Sequence, residues 1–373
     1  MSAVILPCWW SIFRYHNPSC SAYKPDFISL YTGAALLRTD RAALYDLEKQ
    51  RLVQQPIDPS RGSWVLPFFY PPFFAVALLP LASMSFSAAF ATMTMVNLTL
   101  LLAAIEILVR KLRLNRQQTN WLMLSTLCNY GVHYALLEAQ TSFMALMLLV
   151  LFVMALQDST RGKAGTWASL MVFKPQLAVA PFLVLFGKRR WRELGLSLVI
   201  IALLGLVSLA AVGLEGLRAY LELSRRAATG DEFLHIQPEG MHNLRALTYF
   251  FFAPPWREFI WWSFTLAAMA LIYIKSRPTD MFGGISLTGW ISILVAGVLI
   301  APHLHSHDLT LLILPTAFLL KRAGDAVPPP VSFTLVAVGV LPLINTVAYP
   351  YLPPLLPIAL LIFMAAELRR GST

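Results

Sequence analysis

Long apolar runs separated by short polar gaps set the pattern of this chain. A run that crosses about 30 Å of hydrocarbon needs roughly 20 residues at about 1.5 Å each. Runs near that length fall at 87–109, 119–137, 140–157, 191–213, 256–274, 285–302, 308–320, 331–348 and 354–368. Each predicts a helix, because in lipid the backbone polar groups must be satisfied within their own segment. The shorter runs need tilt or neighbours. Two further runs are interrupted, 65–84 by Pro67, Pro71, Pro72 and Pro80, and 164–186 by Lys174, Pro175 and Gln176. Proline removes a backbone donor and restrains the residue before it, so both are expected to be re-entrant hairpins or split helices. The expected architecture is all-α, a polytopic integral membrane bundle in one domain over 1–373. Residues 1–64 form an outer-face segment, and 65–368 form the bundle with a long loop at 214–255.

Composition removes the soluble alternative. Of 373 residues, 57% are hydrophobic and 13% charged, against about 25% charged in an ordinary soluble domain. So much apolar side chain in one soluble core would leave almost nothing to face water. The formal net charge is +10, and its placement matters more than its size. Basic residues cluster in the gaps, as RKLRLNR at 110–116, GKRRWR at 187–192, KSR at 275–277, KR at 321–322 and RR at 369–370. These are cytoplasmic loops under the positive-inside rule. No basic stretch is interleaved with aromatics on a soluble segment, so nucleic acid is not an expected partner. Cys8, Cys20 and Cys128 make no disulfide framework.

Alternating sides from loop 110–118, which holds four basic residues and no acidic one, keeps every other basic loop inside only if 164–186 is a hairpin. The C-terminus is then cytoplasmic. Residues 1–64, the turn near 138–142, the loop 214–255 and the turn 303–308 fall on the outer face, where most of the polar chemistry gathers. No internal repeat or inverted duplication is visible, which weakens a secondary-transporter reading.

Asp26 opens DFISLYTGA, with Tyr31 following at helical spacing. It is either a helix cap or a general base at the water–lipid boundary, where partial burial raises a carboxyl toward a working value. Asp46 is the weaker candidate. Tyr70 stands in YPP at 70–72, a helix start or a rigid corner beside a bound lipid. Glu138 and Gln140, in LLEAQTS, are solvated or capping groups, or acceptor contacts. Lys174 interrupts an apolar run where a cation costs about 3 kcal/mol unless paired, and a lipid phosphate is the expected partner. His303, His305, His307 and Asp308 form HLHSHD. Residues two apart on a helix point about 200° away from each other, so a metal would need an extended turn, and none is expected. His303 and His307 would share a helical face and suit a phosphate or hydroxyl. RAYLELSRR at 218–226 reads as a surface amphipathic helix. Asp231, Glu232, His235 and His242 follow it, and Arg245 beside Asn243 has the reach for a phosphate.

In order, DFxxxYxGA, LYD, YPPF, the Gln-containing turn, KPQ with its basic RRW loop, MHNLR and HxHxHD resemble glycosyltransferase family 87, over about residues 24–320. These are GT-C fold, polyprenyl-phosphate-mannose-dependent mannosyltransferases of the cell envelope. The resemblance implies an inverting hexosyltransferase with Asp26 as catalytic base and no cofactor. Its partners would be a polyprenyl-phosphate sugar donor, a lipid or glycan acceptor, and membrane lipid. By motif, Lys174, His303, His305 and His307 would hold the donor phosphate, and the reach of Arg245 adds it to them. Tyr31, Tyr70, Glu138, Gln140, Asn243 and Asp308 would support acceptor or loops. Residues 3–13 are too short and too broken by Pro and Trp to span, whereas the family has a membrane helix ahead of its DF motif. Two other readings of the chain are a polyisoprenoid-linked lipid transporter without catalysis and a GT-C glycan ligase or polymerase.

Overall fold

The computed structural model describes residues 25–59, 62, 64–157, 162–229, 238–277, 284–324, 339–342, 344 and 352–370. Asp231, Glu232, His235, Cys8, Cys20 and most of the apolar run 331–348 lie outside the described residues. Among the described residues every regular element is helical and none is a strand. Three helical stretches are long and apolar enough to cross a bilayer: Phe86–Lys111, Trp191–Ala228 and Trp256–Ser276. This is the helical membrane protein that the apolar runs predict. Packing divides the described residues into two compact units.

The first unit draws on Met1–Thr99, Leu136–Gln140 and Val199–Ile236. It contains α1 (Phe27–Thr39), α2 (Leu47–Gln54), α3 (Pro72–Leu78), the first part of α4 (Phe86–Lys111) and most of α10 (Trp191–Thr229). Phe27 is fully buried, its ring 5.7 Å from Phe86 and 5.8 Å from Phe90. At Gly33 the Phe68 ring comes so close that a Cβ would clash with its Cδ2. Buried glutamines of α2 hold the extended 66–68 segment. Gln54 Nε2 donates to Leu66 O at 2.8 Å, and Gln50 Oε1 accepts the Phe68 N–H at 2.8 Å. Asp46 caps α2 by accepting the N–H groups of Glu48 and Lys49, so it shapes the loop. YPP is a helix start, because Pro71 precedes α3 and Pro72 opens it, where a missing N–H costs nothing. The run expected to end at 213 does break there: Gly213, at φ 69 and ψ −176, is non-helical and separates the apolar helix from a second helical stretch that runs to Thr229. RAYLELSRR lies on that second helical stretch.

The second unit draws on Leu100–Ala135, Thr141–Leu198 and Gln237–Thr373. Its helices are α5 (Arg116–Cys128), α6 (Tyr130–Leu137, to Ala135), α7 (Ser142–Gln157), α8 (Lys163–Leu170), α9 (Pro175–Gly187), α11 (Leu244–Phe251), α12 (Trp256–Ser276), α13 (Leu287–Ile300), α14 (Ile313–Ala323) and α15 (Leu355–Arg370). A capping box starts α5: Asn115 Oδ1 accepts the Gln118 N–H and Gln118 Oε1 accepts the Asn115 N–H. The expected span 119–137 is split at Asn129, whose amide accepts the Gly131 N–H at 2.8 Å and donates to Leu309 O at 3.3 Å. The interruption of 164–186 is present as expected: Lys174, at φ −122 and ψ 80, separates α8 and its short 3-10 turn from α9, which Pro175 opens.

Candidate active site

The first unit places three of the candidate residues together. Asp26 immediately precedes α1 but does not cap it: its side chain makes no cap hydrogen bond. Its carboxylate is half-buried, and Oδ2 accepts a hydrogen bond from Gln140 Nε2 at 3.2 Å. The Asp26 N–H, one of the donors that a helix start leaves without an intrahelical partner, goes to Glu138 Oε2 at 2.5 Å. Glu138 is 1% exposed, so it is not solvated, and the helix start it satisfies is that of α1, far away in the chain. Burial raises its carboxyl from 4.5 to about 7, against the lowering effect of the Asp26 N–H. Between them Ala139, fully buried, takes a left-handed φ of 45. The turn is fastened from α4, where Asn97 Nδ2 donates to Gln140 O at 2.8 Å. Asn97 is a partner that nothing in the sequence pattern singles out.

Tyr31 and Tyr70 serve the loops of this unit. The Tyr31 hydroxyl donates to Met84 O at 2.9 Å, while Tyr70 O accepts the Tyr45 hydroxyl at 2.7 Å and its ring stacks on Phe74.

The second unit gathers the cations and imidazoles. Lys174 Nζ lies 2.6 Å from Asp308 Oδ1, with both side chains almost wholly buried. Ser142 Oγ donates to the same Asp308 oxygen at 2.8 Å. The burial of Lys174 is thus offset inside the protein, and no lipid phosphate is needed to account for it. His307 approaches the other Asp308 oxygen at 3.4 Å and stacks on Tyr134 at 6.3 Å. His242 Nε2 pairs with Ser306 Oγ at 3.1 Å. Burial drives the His242 imidazole down to about 4, so it is neutral at physiological pH. His303 is half-buried and also falls to about 4, by burial first and then by the charge of Arg245. His305 is exposed and within electrostatic reach of His303, His307 and His242.

His303 and His307 do not share a helical face. Helix α13 ends at Ile300, ahead of Pro302, and His305 is extended before a 3-10 turn over Ser306–Leu312. Helical spacing therefore fails for this motif. Among the described residues no three His, Cys, Asp or Glu side chains are grouped to hold a metal ion.

Asn243 is structural: it caps α11 through the Ala246 N–H and donates to Ala301 O at 2.7 Å. Arg245 is 2% exposed. Its guanidinium lies 5.1 Å from the Tyr249 ring and 5.2 Å from the Trp261 ring, and donates to the Tyr249 hydroxyl at 3.3 Å. Tyr249 in turn bonds Glu258. Ser142, Tyr134, Tyr249 and Trp261 lay outside the sequence candidates, since uncharged groups in apolar runs carry no signal of their own.

The class these features define is a helical membrane protein with a half-buried carboxylate held at a helix start. Residues 68–242 match the model of glycosyltransferase family 87, the family that the motifs resemble. The matched stretch includes Glu138, Gln140, Lys174 and His242, while Asp26, Arg245 and the 303–307 histidines lie outside it. No curated protein and no solved structure matches the chain.

Proposed function

We propose that the protein is an inverting GT-C glycosyltransferase that moves a hexose, with mannose the family's common sugar, from a polyprenyl-phosphate donor to a lipid or glycan acceptor. The site faces outward from the cytoplasmic membrane. The observation that carries this reading is the Asp26 carboxylate. It stands at the start of α1 without capping it, half-buried, and is oriented by Gln140. In this reading Asp26 takes the proton of an acceptor hydroxyl as that oxygen forms a bond to the anomeric carbon. The bond from that carbon to the phosphate oxygen breaks, and its electron pair leaves on the polyprenyl phosphate. Attack opposite the departing phosphate inverts the anomeric configuration. A phosphate leaves already charged, so one carboxylate suffices where glycoside hydrolysis uses two.

In this reading the donor phosphate is taken by Arg245, on its reach, and by the imidazoles of His303 and His305, as the motif implies, with imidazole N–H groups that donate to phosphate oxygens without being charged. Lys174 enters as half of an ion pair with Asp308, so in this reading it braces the cluster and adds little net charge.

The test is transfer itself. Purified protein in nanodiscs is incubated with radiolabelled polyprenyl-phosphate sugars and acceptor lipids. The reading expects a labelled acceptor from at least one donor. Translocation of the labelled lipid without any transfer would instead make the protein a transporter.

A further inference from the structure

The Asp26 N–H does not go to a cap on its own helix. It reaches a carboxylate 112 residues away in the chain, at 2.5 Å. The same turn supplies the contact to the Asp26 side chain, from Gln140 Nε2 at 3.2 Å. One short turn therefore holds Asp26 at two points, main chain and carboxylate. Among the described residues the Asp26 Oδ1 atom carries no hydrogen bond and is left for an acceptor hydroxyl.

The turn is built to hold still. Ala139 sits buried at φ 45, a left-handed conformation that is strained for a residue bearing a Cβ. Asn97 secures the Gln140 carbonyl from α4. A strained, fully packed turn that presents one side chain to the Asp26 main chain and another to its carboxylate is the kind of place where strain persists because the surroundings over-determine it.

Resting on the reading of Asp26 as base, we infer that Glu138 is its positioning residue: the ionised Glu138 carboxylate grips the Asp26 main chain, and transfer weakens when that charge is lost. Among the described residues the influences on Glu138 are burial and the Asp26 N–H. Asp26 is the titratable neighbour on α1, and α4 presents the uncharged Asn97. Among the described residues no cation fixes Glu138 in its ionised form. A hydrogen bond to a carboxylate is roughly twice as strong as one to a neutral acceptor, so protonating Glu138 loosens Asp26 without removing the contact.

The experiment measures kcat and donor KM from about pH 5 to about pH 9 for the wild-type protein, Glu138→Gln and Asp26→Asn in nanodiscs. The wild type is expected to lose about five-fold in kcat as pH falls through about 7, with donor KM unchanged. Glu138→Gln, an uncharged acceptor of the same shape, is expected to run at the low-pH rate throughout and to lack that limb. Asp26→Asn is expected to be inactive. A wild-type profile without a limb near 7 overturns the inference whether or not the variant folds, and so does a Glu138→Gln profile that keeps the limb at the wild-type rate. An active Asp26→Asn would sink the base reading itself, whereas an inactive Asp26→Asn beside an unaltered Glu138→Gln would sink only the role of Glu138.

Discussion

At the scale of single residues, the Lys174–Asp308 pair makes a sharp energetic claim. Both side chains are nearly inaccessible and 2.6 Å apart. Breaking a buried pair strands a charge and costs about 3–5 kcal/mol, whereas replacing both partners by apolar groups is often neutral. Asp308→Ala should therefore lower the unfolding midpoint sharply in detergent. Lys174→Met combined with Asp308→Leu should recover most of the loss, and a thermal double-mutant cycle reads the difference. Additive losses would show that the two charges are not coupled. Glu138 makes a claim of the opposite sign on pH. Its folded value, about 7, lies above the ordinary 4.5, so the native state holds the proton more tightly. That contribution is complete below about 4.5 and is lost as pH rises through about 7. Unfolding midpoints of the wild type should fall across that window by more than those of Glu138→Gln.

Only part of this was legible in the chain. The interruption at Lys174 showed because Pro175 stands beside it and a lone cation stands out in an apolar run. Its partner did not show, since Asp308 is 134 residues away and one sequence carries no record of that pairing. Asp26 could be read as cap or base, and the geometry removes the cap. Glu138 looked like a solvated helix end because nothing local reveals that it is buried.

At the scale of elements, α1 matters because Asp26 introduces it. Its face is set by Gly33, where Phe68 leaves no room for a Cβ. Gly33→Ala must push the ring or the helix away, at about 1–3 kcal/mol. The expected result is a lower unfolding midpoint together with slower transfer. Normal stability and rate would mean that α1 tolerates displacement. Helix ends were the least legible feature. The 119–137 run carries no proline, and it breaks at Asn129 because that side chain binds the Gly131 N–H and the Leu309 carbonyl, partners that only the folded chain supplies. The opposite error came at 303–307, where helical spacing was assumed although Pro302 already argued against it. The run 191–213 does end at Gly213, where glycine takes φ 69 without a side-chain clash and a second helix follows, a continuation that the loss of apolarity hides.

At the scale of the whole molecule, apolar runs and basic gaps were enough to foresee a helical membrane protein, and three helices meet the length and apolarity that a bilayer asks for. Sidedness rests on charge alone. In a cysteine-free background, single cysteines at Arg113 and Lys188 should react with a membrane-permeant maleimide but not with an impermeant one added outside intact cells. A cysteine at His305 should react with both. The reverse pattern would invert the topology and move the proposed site to the cytoplasm.

The central claim is that the carboxylate of Asp26 performs the acid–base step of sugar transfer, and initial rates at saturating donor and acceptor test it most directly. Beside the wild type, Asp26→Asn keeps the shape and loses the base. The expected result is a fall in kcat of about 100-fold to 10,000-fold with donor binding unchanged. Transfer by Asp26→Asn at the wild-type rate would contradict the account.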